Sequence, residues 1–145
     1  MGSKVITICS SASFYRQVLN VERELKQRGF KVKIPFTALK MKKSGNFEVS
    51  AYKLWFKNPK WYARKRFLMT HHFRKIKEGD AILVLNYKKK GQDGYIGGNV
   101  LMEMGLAFHY KKPIYIFNPI SQNVSFLEEI LGMRPVFLNG DLKKI

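Results

Sequence analysis

The sequence predicts an α/β domain built on a mainly parallel sheet with helices on both faces. Short β-branched apolar runs alternate about five times with longer stretches of helical period. Gly, Pro or Ser punctuates the joins, as right-handed strand–helix–strand crossovers require. The 145 residues, 46% of them hydrophobic, suit one compact domain over residues 1–145 and exclude a disordered chain.

Lys4–Cys9 (K-V-I-T-I-C) is a buried-strand run. Ser10–Ser13 then opens a helix from about Phe14 to Arg28, in which Phe14, Val18, Val21 and Leu25 form one apolar stripe. Gly29 stops it. Lys31–Phe36 alternates and reads as a second strand, near an edge because Pro35 has no N–H for a ladder. Residues 37–58 carry scattered aromatics and no sustained period. Pro59 suits the first turn of a helix running to about Lys77. Asp80–Asn86 (D-A-I-L-V-L-N) is the clearest buried strand, and the Lys- and Gly-rich stretch Tyr87–Ile96 is a loop. A helix over Val100–Tyr110, a strand over Pro113–Asn118, a short helix around Val124–Leu131 and a strand near Pro135–Leu138 complete the chain. In such sheets ligands bind beyond the carboxyl ends of the strands, here Ser10–Ser13, Phe36–Leu39, Asn86–Asn99 and Asn118–Gln122.

With 27 Lys+Arg against 10 Asp+Glu, the formal net charge is +17. It concentrates between residues 31 and 90, in Lys40–Lys43, Arg64–Arg66, Arg74–Lys77 and Lys88–Lys90. Such an excess draws in polyanions, either phosphorylated small molecules or nucleic acid; a lysine-biased, well-solvated surface would look the same. No run approaches the 18 apolar residues of a membrane span. Met1–Ile6 lacks the apolar core of a signal peptide, and Ile6 breaks the myristoylation pattern. One cysteine, Cys9, excludes an internal disulfide and a Cys-rich zinc site. A cytoplasmic domain without membrane contact is the expectation.

The chemistry concentrates in Tyr95–Ala107 (Y-I-G-G-N-V-L-M-E-M-G-L-A). Gly97 and Gly98 free the backbone to turn around a ligand. Asn99 is placed to cap the following helix. Val100, Met104, Ala107 and Phe108 form its apolar stripe. Glu103 falls in about the first turn, on the border of that stripe, where a carboxylate is costly unless it is hydrogen-bonded or reactive. Two readings stand: a capping or first-turn acid satisfied by loop amides, or a nucleophile or general base at the strand-end crevice.

Asp80–Asn86, the glycine-containing loop, Met102–Ala107 and Lys112–Ile116 together resemble the nucleoside 2-deoxyribosyltransferase superfamily, which includes the deoxynucleoside 5′-monophosphate N-glycosidases. The resemblance covers roughly residues 4–20 and 70–120. It implies a flavodoxin-like three-layer sandwich with a five-stranded parallel sheet, a homo-oligomer, and no cofactor or metal. It also implies that Glu103 attacks the anomeric carbon of a nucleoside or nucleoside 5′-monophosphate and displaces the base, as in retaining glycosidases. Ser10, Ser11 and Ser13 then become 5′-phosphate contacts, and Asn86, Gly97, Gly98 and Asn99 shape the substrate pocket. Gly97 stands where the transferases commonly carry an aspartate, and a second family carboxylate falls at His72. His72 or Asp93 is therefore the candidate proton-transfer partner.

Adjacent His71 and His72 diverge by about 100° on a helix, whereas two metal ligands on one helix want i,i+3 or i,i+4 spacing. His109 reads as surface or packing. Cys9 ends an apolar strand with no evident base and reads as a structural thiol. Tyr52–Phe67, aromatic and basic, reads as a flap packed over the sheet; stacking single-stranded nucleic acid is the second choice.

Overall fold

The computed structural model describes residues 3–145. It shows a flavodoxin-like three-layer α/β fold. Five strands, β1 (Val5–Ser10), β2 (Lys31–Lys33), β3 (Ala81–Leu85), β4 (Ile114–Ile116) and β5 (Val136–Phe137), form one sheet. Their spatial order is β2-β1-β3-β4-β5 and every pairing is parallel. The helices are α1 (Tyr15–Gln27), α2 (Phe36–Ser44), α3 (Tyr62–Glu78), α4 (Gly98–His109) and α5 (Leu127–Gly132).

Alternation along the strands splits the core in two. Ile6, Ile8, Leu83 and Leu85 face one side and pack with Val18, Val21 and Leu25 of α1. Cys9, Ile82, Val84 and Ile116 face the other and pack with Ile76 of α3 and Val100, Met104 and Ala107 of α4. The α1 stripe is buried from Phe14 onward, as its spacing predicts. Lys112 anchors the end of α3, donating through Nζ to the carbonyls of Lys77 and Gly79.

Three expectations about the elements fail for local reasons. The second strand lies at the sheet edge but ends at Lys33, and Phe36 opens a helix instead. Pro35 sets the entry with φ −57° and ψ 141°, and Ala38 and Met41 supply buried anchors. The unreadable stretch thus contains α2, closed by Gly45 at φ 74°, and two 3₁₀ turns at Val49–Ala51 and Leu54–Phe56. The helix placed at Pro59 starts as a 3₁₀ turn capped by the Asn58 side chain and becomes α-helical only at Tyr62.

No helix among the described residues is long and apolar enough to cross a membrane. β1 and β3 pair through Cys9 with Val84 and Ser10 with Leu85. The chain leaves this central pair in opposite directions across the sheet, creating the crevice in which such folds bind ligands.

Candidate active site

A cavity opens beyond the carboxyl end of β1. Ser10 and Ala12 come from the turn after the strand, Phe36 and Met41 from α2, Lys65 and His72 from α3, and Asn99 and Glu103 from α4. Tyr52, Lys53 and Trp55, on the turns before α3, close one side, with Tyr15 of α1 also at the wall. The space between the walls, mouth included, is about 610 Å³.

Glu103 is the only carboxylate on this lining and is 4% exposed. It is the sixth residue of α4, too deep for the free N–H groups of the first turn to hold it ionised. Burial pushes its carboxyl up to about 8, against opposing pulls from the Cys9 thiol, the Lys65 charge and the Asn99 amide. It is thus mostly protonated at neutral pH in the ligand-free site. Gly97, not Asn99, is the N-cap of α4. Asn99 is instead free to bridge: its Oδ1 accepts from Lys65 Nζ at 3.0 Å, and its Nδ2 donates to Glu103 Oε2 at 3.1 Å. This relay ties a half-buried lysine to the acid through one amide.

Beneath the cavity, Cys9 Sγ lies 3.7 Å from His72 Nε2. Burial, then the nearby Lys75 charge, drives the His72 imidazole down to about 3, only partly offset by the Ile8 backbone. Burial also holds the Cys9 thiol well above its usual range, reinforced by Glu103. All three groups are therefore neutral near pH 7. Cys9 is buried, as a structural thiol would be, but the base that its sequence surroundings do not show, His72, is brought beside it because β1, α3 and α4 converge from distant parts of the chain.

The mouth has the opposite character. Lys53 and Lys65 stand on the lining, and Lys89 Nζ donates to Ser11 Oγ at 2.8 Å. Burial lowers the pKa of all three, with mutual repulsion among Lys53, Lys65, Lys89 and Lys90 adding to it. The ion pairs among the described residues involve Lys26, Arg28 and Lys33, and none neutralises this group.

The remaining sequence candidates divide. Ser10 is buried on the lining, whereas Ser11 holds Lys89 from outside it and Ser13 is exposed. Asn86 is fully buried and away from the cavity, clamping the ends of β3 and β4 through Asn118. Asp93 is exposed and off the lining; its backbone carbonyl accepts from Ser121 N. Gly97 and Gly98 lie outside the lining and at ordinary φ, although a Cβ on Gly97 would meet the Tyr95 hydroxyl at 3.0 Å. Phe108 is 55% exposed, so the α4 stripe ends at Ala107. Within Tyr52–Phe67, Trp55 is buried in the wall while Phe56, Trp61, Tyr62 and Phe67 remain exposed. The cavity lysines and Tyr52 were visible only as part of that aromatic, basic segment, and nothing in its spacing marked them as lining.

Fold and site together define a parallel α/β domain whose strand-end cavity has one protonated acid at the floor and uncompensated lysines at the mouth. No known family and no curated protein sequence matches the chain.

Proposed function

We propose that this cavity binds a nucleoside 5′-monophosphate and that Glu103 displaces the base from its sugar, making the protein an N-glycosidase or a deoxyribosyltransferase-like enzyme. The observation that carries the reading is a buried carboxyl on the floor of an aromatic-walled cavity at the carboxyl end of a parallel sheet. In its ionised form Glu103 attacks the anomeric carbon, the N-glycosidic bond breaks, and the electron pair leaves with the base. The glycosyl ester formed is then cleaved by water or by a second base. Asn99 orients the carboxylate, and Lys65, one amide away, favours its ionised form. Tyr52 and Trp55 offer flat faces to the base. Lys53, Lys65 and Lys89 offer charge-assisted hydrogen bonds to the phosphate.

Incubation with a panel of nucleosides and nucleoside 5′-monophosphates, with free base followed by chromatography, tests this. Base release that disappears in Glu103→Ala while ligand binding persists is the expected result. Release that persists in the variant removes Glu103 as nucleophile.

One observation favours a second reading, a nucleotide-binding domain without turnover: Asp93 is exposed and no second carboxylate lines the cavity to assist the leaving base. Binding without release by the wild-type protein is the outcome that selects it.

A further inference from the structure

We propose that Cys9, His72 and Glu103 form a binding site for a single divalent transition-metal ion, with zinc the best match. Their candidate ligand atoms all lie within 4.8 Å of one another, and all three residues are buried. In a tetrahedral site with Zn–S about 2.3 Å and Zn–N about 2.0–2.1 Å, sulfur and nitrogen stand about 3.6 Å apart. The Cys9 Sγ to His72 Nε2 separation is 3.7 Å, so these two ligands already have the required spacing. The carboxyl of Glu103 completes a tripod rooted in β1, α3 and α4.

Thiolate, imidazole and carboxylate form a mixed donor set that suits zinc and leaves a fourth position toward the cavity, whose lining includes His72 and Glu103. Binding forms one metal–sulfur, one metal–nitrogen and one metal–oxygen bond. The Cys9 thiol and the Glu103 carboxyl each lose a proton to solvent, so the ion faces two negative charges and the buried site stays neutral. Two cations oppose the ion: Lys65, held one amide away from Glu103 by Asn99, and Lys75, whose charge acts on His72. Nδ1 of His72 is buried without a hydrogen-bond partner. Its other nitrogen, Nε2, is aimed at Cys9.

The sequence argument against a metal considered two ligands on one helix; here each ligand comes from a different element. A metal held this way also occupies the Glu103 carboxylate, so the loaded protein does not release base. That consequence rests on the proposed activity, whereas the binding does not.

The test uses the full chain, reduced and stripped with chelator, titrated with Co²⁺ and then Zn²⁺. One equivalent of Co²⁺ should produce a thiolate-to-cobalt charge-transfer band and the strong visible absorption of a tetrahedral site, and Zn²⁺ should abolish both. The chain has one cysteine, so such a band can arise only from Cys9. Cys9→Ser should lose the band, and Glu103→Gln should weaken binding more than tenfold. Folding of each variant is checked by circular dichroism. Should a variant fail to fold, the wild-type Co²⁺ spectrum and a Zn²⁺-induced rise in melting temperature decide. Absence of the charge-transfer band, or equal Zn²⁺ affinity in a folded Cys9→Ser protein, overturns the proposal. Neither result bears on base release by the metal-free protein.

Discussion

Replacing Asn86 by alanine tests the idea that this residue holds the sheet rather than a ligand. Its side chain makes three hydrogen bonds: Nδ2 donates to the Asn118 carbonyl at 2.8 Å and to the Gly94 carbonyl at 3.3 Å, and Oδ1 accepts from the Asn118 N–H at 2.8 Å. A fourth, from Asn118 Nδ2 to the Asn86 carbonyl, uses backbone and survives the change. At about 1 kcal/mol net per bond the loss is about 3 kcal/mol, and the Asn118 groups left unpaired raise it to about 3–5 kcal/mol. That is a large fraction of the roughly 5–15 kcal/mol that holds a typical domain together. Urea unfolding followed by circular dichroism should show the midpoint falling by about 2 M at an unchanged slope, given slopes of about 1–3 kcal/mol/M. A fall below about 0.5 M refutes the clamp. If that small change came with lost nucleotide affinity, Asn86 would return to the binding site.

Two further perturbations probe the loop and the buried acid. Gly94→Ala places a Cβ 2.3 Å from the Pro119 carbonyl oxygen at φ +70°, whereas Gly91→Ala meets nothing at φ +72°. The first should cost at least about 2 kcal/mol more than the second, a difference of about 4–8 °C in melting temperature for a chain of this size; equal melting points contradict the close approach. In chelator-treated protein, Glu103→Gln should flatten the dependence of stability on pH. The folded-state pKa of Glu103 is raised to about 8 from 4.5, so the wild-type contribution is full below pH 4.5 and is lost as pH climbs through 8. Its total is about 5 kcal/mol at 1.36 kcal/mol per pH unit. The stability difference between variant and wild type should therefore move in the variant's favour by several kcal/mol from pH 5 to pH 9; parallel profiles refute the buried, protonated state.

What could be read from the chain follows the range of the forces involved. The β3 run and the α1 stripe are local patterns of burial, and both survive folding with boundaries shifted by a residue or so. Helix α2 was hidden because lysines fill most of its exposed positions and only Ala38 and Met41 are fully buried, too few to set a period. Asn86 and Asp93 sit where strand-end chemistry is expected, yet their roles depend on side-chain direction. The β4 end takes up the Asn86 amide, and the tight turn pairing Lys89 with Gln92 precedes an outward-facing Asp93. Glu103 was identifiable from its place beside an apolar stripe. Its neighbours were not, since Cys9 and His72 are 63 residues apart and meet only through the sheet.

The cavity's polarity constrains any ligand independently of the reaction. At the floor, Cys9, His72 and Glu103 are neutral near pH 7 because burial opposes every charged form. At the mouth, Lys53, Lys65 and Lys89 repel one another and form no ion pair with a carboxylate among the described residues. A ligand that enters phosphate-first would bring an anion against a carboxyl that ionises near pH 8 and leave the lysines uncompensated. One that enters with its uncharged end leading leaves its phosphate among the lysines and brings its sugar toward Glu103. Screening separates these orientations: affinity for nucleoside 5′-monophosphates over the parent nucleosides should shrink as ionic strength rises, because the discriminating contacts lie at the solvent-facing rim. The acid beneath is shielded from that salt, so base release, under the proposed reaction, should change far less than the affinity does.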